Sequence, residues 1–346
     1  MEEKININIT GVTLSDAYKE SVDGYAIAAK NLVKELEKNN FNTYFLNNMS
    51  DINLSFAVPN NHILLSGAYN ILYSAHETTR ISDYWAKCLN KADEVWATSS
   101  WTAEAFKTKV NKPVYVCPHG VSGEFVPSKR KLNNGKFMFL HLGEPFVRKG
   151  GKDVVDAFIA EFAGNDDVIL VIKAYKHGHT IRIDDGNGNM VRPEEIHKNI
   201  KVIRDDLDQN DYLKLLYNTH CLVYPSWGEG FGMMPLEAMA TGMPVISTWE
   251  WAEYKDDIDF KIDSDLVPVP ETIPNYLKDT YLGKIYLAKI DSIRYNMRTV
   301  YENHQKVFDD SYIKSFKIHK KWNWEEVIEK YAVPRLNKIY EELENV

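Results

Sequence analysis

The sequence has little cysteine: Cys88, Cys117 and Cys221 are the three in 346 residues, and no two of them form a CxxC pair. An odd and scattered set of this kind excludes a disulfide scaffold and predicts a reducing compartment. We interpret the three thiols as small apolar residues of the interior.

The chain also lacks an excess of positive charge and any long apolar run. Its 41 Lys and Arg face 49 Asp and Glu, a net charge of −8, which argues against a dedicated nucleic-acid binder. No apolar stretch approaches the roughly 20 residues of a membrane-spanning helix. The start, MEEKININIT, has no basic region followed by an apolar one, so no signal peptide is predicted. The prediction is a cytoplasmic protein, with peripheral attachment to a membrane surface left open.

An alternation of short apolar runs and amphipathic segments is present, and it favours an α/β fold with mostly parallel strands. The length suggests about two domains. The clearest predicted helix is Gly24–Lys38, with Ile27, Leu32 and Leu36 on or near one face. Strands of the first half are predicted at Ile5–Ile9, Thr43–Leu46, Ile63–Ser66, Ile71–Ala75, Glu94–Thr98 and Val114–Cys117.

A polar, charged stretch, Pro127–Gly135, is predicted to be a linker. A second alternation follows it, with strands at Phe137–Leu142, Val168–Ala174, Lys201–Ile203, Cys221–Tyr224 and Pro244–Ser247, and helices from about Asp153, at Asp211–Tyr217 and at Met233–Thr241. We predict two Rossmann-like, doubly wound domains, 1–130 and 131–305, that face a central cleft. Helices in 306–346 are expected to cross back to the first domain. The Asp184–Asn189 region is predicted to form a hairpin or a mobile excursion, and about 284–346 to be strongly helical.

The most informative block runs from Tyr224 to Ile246, where a strand, a glycine-rich loop and a helix follow one another. Glycines let backbone N–H groups approach a ligand without Cβ interference. The helix that begins near Met233 has unpaired N–H groups and a partial positive charge, which suits a phosphate.

Two carboxylates flank this predicted phosphate site. Glu229 lies in the loop and Glu237 about one turn inside the helix, so they should stand several ångströms apart. Carboxylates accept hydrogen bonds from vicinal hydroxyls. One on each side of a phosphate suits a molecule with a sugar at both ends, namely a nucleotide sugar.

The block closely resembles the E-x7-E signature of retaining glycosyltransferase family four, a group with the GT-B fold. Less specific similarity extends over nearly the whole chain, at 92–99, 116–121, 297–303 and 322–331. The resemblance implies that Glu229 binds hydroxyls of the donor sugar and Glu237 the ribose. It also implies that sugar and diphosphate oxygens are bound by the backbone N–H groups of Gly230, Phe231, Gly232 and Met233.

A second phosphate feature is predicted after the strand Phe137–Leu142, where Arg148 and Lys149 precede a helix. They can face a diphosphate at the cleft and neutralise the leaving group, a form of electrostatic stabilisation that often dominates catalysis. The family commonly has an arginine one residue after the strand-end glycine. Glu144 stands there in this chain, so Arg148 is predicted to supply the charge; a solvated basic turn is the alternative.

In the first half the resemblance places His76 at a strand end, facing the donor sugar near the reacting carbon. A structural histidine that caps the next helix is the alternative, and His119 is a weaker competitor for the role. Gly24, in the segment Ser21–Tyr25, resembles the family's glycine loop near donor and acceptor.

No metal site and no cofactor are predicted. His177 and His179 stand isolated, and the Asp206-x-Asp208 and Asp257-x-Asp259 pairs are interpreted as solvated turns, because neither follows a strand in a nucleotide-binding first half. A basic face on the C-terminal helices is interpreted as a solvated surface rather than an anion-binding one; it comprises Lys314, Lys317, Lys320 and Lys321 beside Phe316 and Trp322.

The predicted function is transfer of a sugar from a nucleoside-diphosphate sugar, UDP- or GDP-linked, to a hydroxyl acceptor with retention. A glycan, lipid-linked or protein acceptor is left open, and no nucleic-acid partner is expected. A nucleotide-sugar-binding protein and an epimerase or phosphorylase of the same fold remain alternatives. A dehydrogenase is weaker, since no GxGxxG follows Ile5–Ile9.

Overall fold

A computed structural model describes residues 4–11, 24–45, 50–132, 135–143, 147–174, 182–184, 188–273 and 275–345. Two six-stranded parallel sheets dominate it. The first sheet comprises β1 (Ile5–Thr10), β2 (Phe41–Phe45), β3 (Ile52–Phe56), β4 (Tyr69–Ser74), β5 (Glu94–Ala97) and β6 (Val114–Val116). Its order is β2-β1-β3-β4-β5-β6.

The prediction of a strand at Ile63–Ser66 is wrong, and β3 takes its place in the sheet. The polar residues of β3 conceal it in the sequence, because asparagine and serine are not typical strand residues. Asn53 is fully buried and joins its neighbours through side-chain amides: it accepts from Asn8 (3.1 Å) and donates to Asn70 (2.9 Å). This row of hydrogen bonds satisfies polar groups that would otherwise make burial costly.

The second sheet comprises β7 (Phe137–Leu142), β8 (Val168–Lys173), β11 (Ile200–Ile203), β12 (Cys221–Tyr224), β13 (Val245–Ser247) and β14 (Phe260–Lys261). The short antiparallel pair β9 (Ile183–Asp184) and β10 (Met190–Val191) forms the predicted hairpin. Within the large sheet the order is β11-β8-β7-β12-β13-β14, the dinucleotide-binding order. All six strands are parallel, and the strand order reverses between β7 and β12. The predicted α/β, doubly wound architecture is confirmed.

Helices cover both sheets. They are α1 (Gly24–Lys38), α2 (Asp83–Leu89), α3 (Ser100–Lys107), α4 (Gly151–Phe162), α5 (Pro193–Ile196), α6 (Gln209–Asn218), α7 (Met233–Ala240), α8 (Ile290–Glu302), α9 (His304–Trp322), α10 (Trp324–Val327) and α11 (Val333–Glu344), with a π-helical turn at Ile328–Ala332. On α1, Leu32 and Leu36 are buried and Ile27 is half-buried, because the period of 3.6 residues aligns them.

Along the chain, a separate antiparallel hairpin follows β14 and precedes α8. It consists of β15 (Ser264–Pro268) and β16 (Lys284–Ala288). The prediction of helix from residue 284 is therefore wrong for the first five residues. Lys284–Ala288 pair residue by residue with Ser264–Pro268 as a strand, and the helix begins at Ile290.

The last helices return to the first sheet. Trp324, Ile328, Leu336 and Ile339 are buried in the same core as β1, β3 and β4. Arg335 pairs with the fully buried Glu94 of β5 (2.5 Å). A buried carboxylate needs such a partner, so this pair ties α11 to the sheet. The domain boundaries at 130 and 305 stay predictions.

Arg130 holds the segment that connects the two sheets in place. Arg130 is 5% exposed and donates to the carbonyls of Leu216 (3.1 Å) and Thr241 (3.1 Å). Its side chain thus fixes the predicted linker against the second domain.

The interpretation of the Asp-x-Asp pairs as solvated turns is wrong for Asp257. Its carboxylate is largely buried and accepts from Trp322 Nε1 (2.8 Å) and Lys321 Nζ (2.7 Å). Lys314 pairs with Asp259 (2.6 Å). Half of the basic face of α9 is therefore neutralised by these aspartates.

Cys117 and Cys221 are buried and Cys88 is half-buried, and all three are free thiols. No helix in the described part of the chain combines the length and the apolar character needed to cross a membrane.

Candidate functional site

The site predicted from the motif lies where β7 and β12 run side by side at the reversal of strand order. Loops after these two strands meet there, which is where ligands bind in open α/β sheets. Gly150 precedes α4 with φ of +69°, and a Cβ there would lie 2.6 Å from the Pro225 carbonyl oxygen. Only glycine permits this close approach of the two loops.

A buried cluster of charges joins the loops. Lys149 Nζ lies 2.7 Å from Glu229 Oε1, and an Arg148 guanidinium nitrogen lies 3.1 Å from the same oxygen. The three side chains are between 8 and 14% exposed. The structure thus brings together both predicted cations and the predicted sugar-binding carboxylate.

Hydroxyls complete the surroundings of Glu229. Tyr224 donates to Oε1 (2.9 Å), as does Ser226, and Lys149 also donates to the Tyr224 hydroxyl (3.1 Å). Among the described residues no hydrogen bond reaches Oε2 of Glu229. One carboxylate oxygen is therefore held by the protein, while the other is available to a ligand.

The cluster keeps Glu229 ionised. Burial alone would raise the pKa of this carboxyl, but Arg148 and then Lys149 outweigh it and hold the pKa at about 2. Burial would also lower the pKa of Arg148, yet Glu229 raises it above the ordinary value. For Lys149, burial dominates and lowers the pKa, with Glu229 opposing.

The loop from Gly230 to Gly232 leads into α7. Gly232 has φ of +77°, and a Cβ there would lie 2.5 Å from the Trp251 ring. The amides of Gly230, Phe231 and Gly232 donate to no other residue in the part of the chain that the structure describes. These amides and the N-terminus of α7 at Met233 are donors suited to phosphate or sugar oxygens.

Glu237 occupies the second turn of α7 in a less charged environment. It is 9% exposed, and the Tyr212 hydroxyl donates to its Oε2 (2.8 Å). Burial raises the pKa of Glu237 to about 7; Tyr212 opposes this and Glu124 adds to it. The two glutamates therefore differ in charge state: Glu229 is ionised at all physiological pH values, while Glu237 titrates near neutrality.

This difference predicts a pH-dependent affinity. If ribose hydroxyls donate to the Glu237 carboxylate, binding selects the deprotonated form. The affinity for a nucleoside-diphosphate sugar should then rise up to about tenfold per pH unit below 7 and level off above it. Calorimetric titrations between pH 5.5 and 8.5 measure this, and Glu237→Gln is the control that should abolish the slope. A slope that persists in E237Q would assign the titration to another group.

The first domain closes over the loop through hydroxyl groups. Thr98, Ser99 and Thr102 all donate to the Gly230 carbonyl, at 2.8, 2.6 and 3.2 Å. A Cβ on Gly230 would lie 2.4 Å from Ala75 Cβ. The glycine is therefore needed for contact between the domains.

His76 lies within this contact. It is fully buried, and its Nε2 is within hydrogen-bond distance of Thr78 Oγ1 (2.8 Å) and the Arg80 carbonyl (2.9 Å). A carbonyl only accepts, so Nε2 carries the proton. The buried Nδ1 has no hydrogen-bond partner in the described part of the chain. Burial lowers the pKa of His76, so the ring is neutral at physiological pH. Contact between His76 and a donor sugar stays a prediction.

The other two predicted positions of the first half differ in exposure. Gly24 begins α1 and is exposed, and the Tyr25 hydroxyl next to it accepts from Ala75 N (3.0 Å). His119 is buried, its ring nitrogens have no hydrogen-bond partner among the described residues, and it packs on Phe231 at 4.9 Å between ring centroids. Glu144 lies outside the described residues.

Sequence reasoning missed three residues of the cluster. Glu77 lies 3.9 Å from Arg148, and the Tyr281 ring centroid lies 5.7 Å from the guanidinium carbon. Tyr224 was named only as the end of a strand. Neither Glu77 nor Tyr281 has a local signal, because each reaches Arg148 from a distant part of the chain.

Within the described residues, no group of three or more His, Cys, Asp or Glu side chains could hold a metal ion. His177 and His179 lie outside them. An open surface concavity of about 680 Å³ lies at β15, β16 and α8, and none of the predicted site residues lines it.

At the candidate site itself a Cβ on Gly228 would lie 2.1 Å from the Glu77 carbonyl oxygen, so the two domains are in direct contact there.

Comparison with known proteins agrees with this geometry. Residues 124–250, which contain both loops, match the family model "Glycosyl transferases group 1". The chain is 26% identical over 200 residues to "Putative glycosyltransferase 45" of Sulfolobus islandicus filamentous virus, covering 55% of this chain and 52% of that one. It is 29% identical over 174 residues to the lipopolysaccharide core biosynthesis mannosyltransferase LpsB of Rhizobium meliloti, covering 47% and 48%. The chain thus spans about half the length of these curated relatives.

Solved structures resemble the whole chain at low identity. Anabaena HepE in complex with UDP and glucose superposes with a TM-score of 0.64 at 12% identity, covering 99% of this chain and all of that one. Sucrose-phosphate synthase of Thermosynechococcus elongatus gives 0.61 at 12%, covering 98% and 99%. These likenesses establish the fold: the chain has the GT-B architecture, and the match to the family model covers residues 124–250.

Proposed function

We propose that this protein is a retaining glycosyltransferase that moves a sugar from a nucleoside-diphosphate sugar to a hydroxyl acceptor. The convergence of Arg148 and Lys149 on Glu229, at the reversal of strand order, carries the proposal. It brings two cations and one ionised carboxylate together within residues 124–250, the part of the chain that matches the family model. The retaining outcome rests on the resemblance to family four.

The chemistry follows from the charges. In the transfer, the bond between the anomeric carbon and the diphosphate oxygen breaks, the acceptor oxygen bonds to that carbon, and the acceptor proton passes to the departing diphosphate. Negative charge grows on the diphosphate as it leaves. Arg148, Lys149 and the N-terminus of α7 stabilise that charge within a buried site, where electrostatic effects are strong.

Each glutamate has a separate proposed role. The free Oε2 of Glu229 accepts from hydroxyls of the donor sugar, and Glu237 accepts from the ribose. Anabaena HepE has been solved in complexes with UDP, with UDP and glucose, and with UDP-glucose. UDP-glucose is therefore the first donor to test.

A donor screen tests the proposal. Purified protein is incubated with UDP-, GDP- and ADP-linked sugars, and release of nucleoside diphosphate is measured with and without sugar acceptors. We expect one donor to be consumed and NMR to show that the product keeps the anomeric configuration of that donor. Release that requires inorganic phosphate indicates a phosphorylase, free epimerised sugar indicates an epimerase, and binding without turnover indicates a binding protein.

Metal independence is a separate prediction. Because Arg148 and Lys149 can neutralise the diphosphate, turnover should change less than about twofold in excess EDTA. The same assay with added magnesium or manganese is the control. Loss of activity in EDTA that either ion restores would contradict the assignment of these two cations.

A further inference from the structure

The hairpin β15–β16 and its connection, residues 264–288, reach from the second domain to the first. This segment lies outside both six-stranded sheets and follows the part of the chain matched by the family model. Lys284 N donates to Thr79 Oγ1 (2.8 Å), Thr79 N donates to the Lys284 carbonyl (3.1 Å), and Leu282 pairs with Arg80 in an antiparallel bridge. The hairpin is thus attached to the segment that follows β4.

Gly283 makes this attachment possible. Its φ is +82°, and a Cβ there would lie 2.4 Å from Thr79 Oγ1. A side chain at this position would be strained in its backbone and would collide with the residue to which the hairpin docks.

The docked hairpin places Tyr281 against Arg148. The ring is 8% exposed, its centroid lies 5.7 Å from the guanidinium carbon, and its edge approaches His76 at 6.3 Å between centroids. Glu77 of the first domain lies 3.9 Å from the same guanidinium. Arg148 is therefore bounded by groups from the hairpin and from both domains.

We propose that Tyr281 is a positioning residue for Arg148. Docking of the hairpin on Thr79 then also fixes the position of the guanidinium that binds the diphosphate. This rests on the proposed function, which assigns Arg148 to the diphosphate. An arginine side chain has many rotamers, and fixing it before binding removes an entropic cost of binding. The aromatic face of Tyr281 holds the cation where the diphosphate will arrive.

Nucleotide binding tests the proposal without an acceptor. UDP, GDP and ADP are titrated calorimetrically into the full chain, and the tightest binder is used for all variants. Tyr281→Leu keeps apolar volume but removes the aromatic face, so it should weaken binding by about 5- to 30-fold. Tyr281→Phe keeps the face and should stay within about twofold. The exposed Tyr295, changed to leucine, is the matched control.

A double-mutant cycle separates positioning from a merely structural role. If Tyr281 acts through Arg148, then R148A/Y281L should bind no more weakly than R148A alone, within about twofold. Multiplying losses, or unchanged binding in Y281L, would overturn the proposal. Thermal unfolding of each variant identifies any that fail to fold; Y281F and the glycine variants below then provide the test.

Gly283→Ala disturbs the docking without touching Arg148 or Tyr281, and should reproduce the loss in Y281L. Gly67→Ala is its control, since Gly67 has a similar φ of +85° but no atom within 4 Å of the added Cβ. Equal binding by G283A and G67A would contradict the link between docking and Arg148. Failure of the unmodified protein to bind any of the three nucleotides would overturn the proposed function as well. Weakened binding in R148A but not in Y281L would overturn this inference alone.

Discussion

Replacing Lys149 with alanine should lower kcat by about 100- to 1,000-fold, the range seen when one preorganised charge-stabilising donor is removed. Lys149 is 14% exposed and lies 2.7 Å from Glu229, in a site from which water is largely excluded. A charge is worth more there than in solvent, so its loss should slow departure of the diphosphate more than it weakens donor binding. Steady-state kinetics with the donor found in the screen measure both parameters.

Lys152 is the matched control for this prediction. It lies in the first turn of α4, is 46% exposed and, among the residues that the structure describes, forms an ion pair only with Asp156 on its own helix. Lys152→Ala should leave kcat within about twofold, since exposed ion pairs contribute little. Near-normal turnover in K149A would remove Lys149 from the mechanism, whatever happens to K152A.

The parallel strands could be predicted because apolar runs between helices have a clear signal. The bounds of β7 and β12 match the sequence prediction residue for residue. The β3 strand was missed because Asn53 and Ser55 mark it as polar. Their burial depends on partners outside the strand: Asn53 donates to Asn70 of β4, and Ser55 accepts from Ile63 N in the loop that follows β3. That information lies in the pairing of distant segments and not in the segment itself.

Some residues of the candidate site could likewise be predicted from the sequence, and others could not. Glu229, Arg148 and Lys149 were predictable because each follows a strand at the edge where ligands of such sheets bind. Glu77 and Tyr281 complete the surroundings of Arg148 but come from the other domain and from the hairpin. The fold, and not a local pattern, decides that they reach the guanidinium.

The contacts between the domains bear on how a donor enters. Three hydroxyls bind the Gly230 carbonyl, and Gly228 and Gly230 leave no room for a Cβ against residues 75–77. We expect these contacts to open for donor entry and to re-form around it. Closure of that kind excludes water and so limits hydrolysis of the donor.

The second large effect is expected for Glu229→Gln. The change leaves Arg148 and Lys149 buried without their shared counter-charge, and breaking a buried pair costs roughly 3–5 kcal/mol. Donor turnover should fall by about 100-fold or more, because the sugar hydroxyls lose their ionised acceptor. Chemical denaturation measures the first effect, and kcat/KM for the donor measures the second.

The pH dependence of the free energy of unfolding distinguishes the contribution of the Glu229 charge from that of its packing. The pKa of Glu229 is about 2 in the folded protein, against 4.5 for an unperturbed glutamate. A lowered pKa stabilises the fold fully above pH 4.5, and the contribution is lost as the pH falls toward 2. The stability difference between E229Q and the unmodified protein should therefore shrink as the pH falls below 4.5 toward 2.

Glu161 provides the control that ties the loss of activity to the site. It is 14% exposed and pairs with Arg294 (3.2 Å) and Arg298 (2.6 Å), so, like Glu229, it pairs with two cations. These partners lie on α8 and not in the cleft. Glu161→Gln should destabilise the fold while kcat/KM stays within about twofold. If E161Q and E229Q lost activity to the same extent, the loss would reflect instability alone, and Glu229 would have no part in holding the donor.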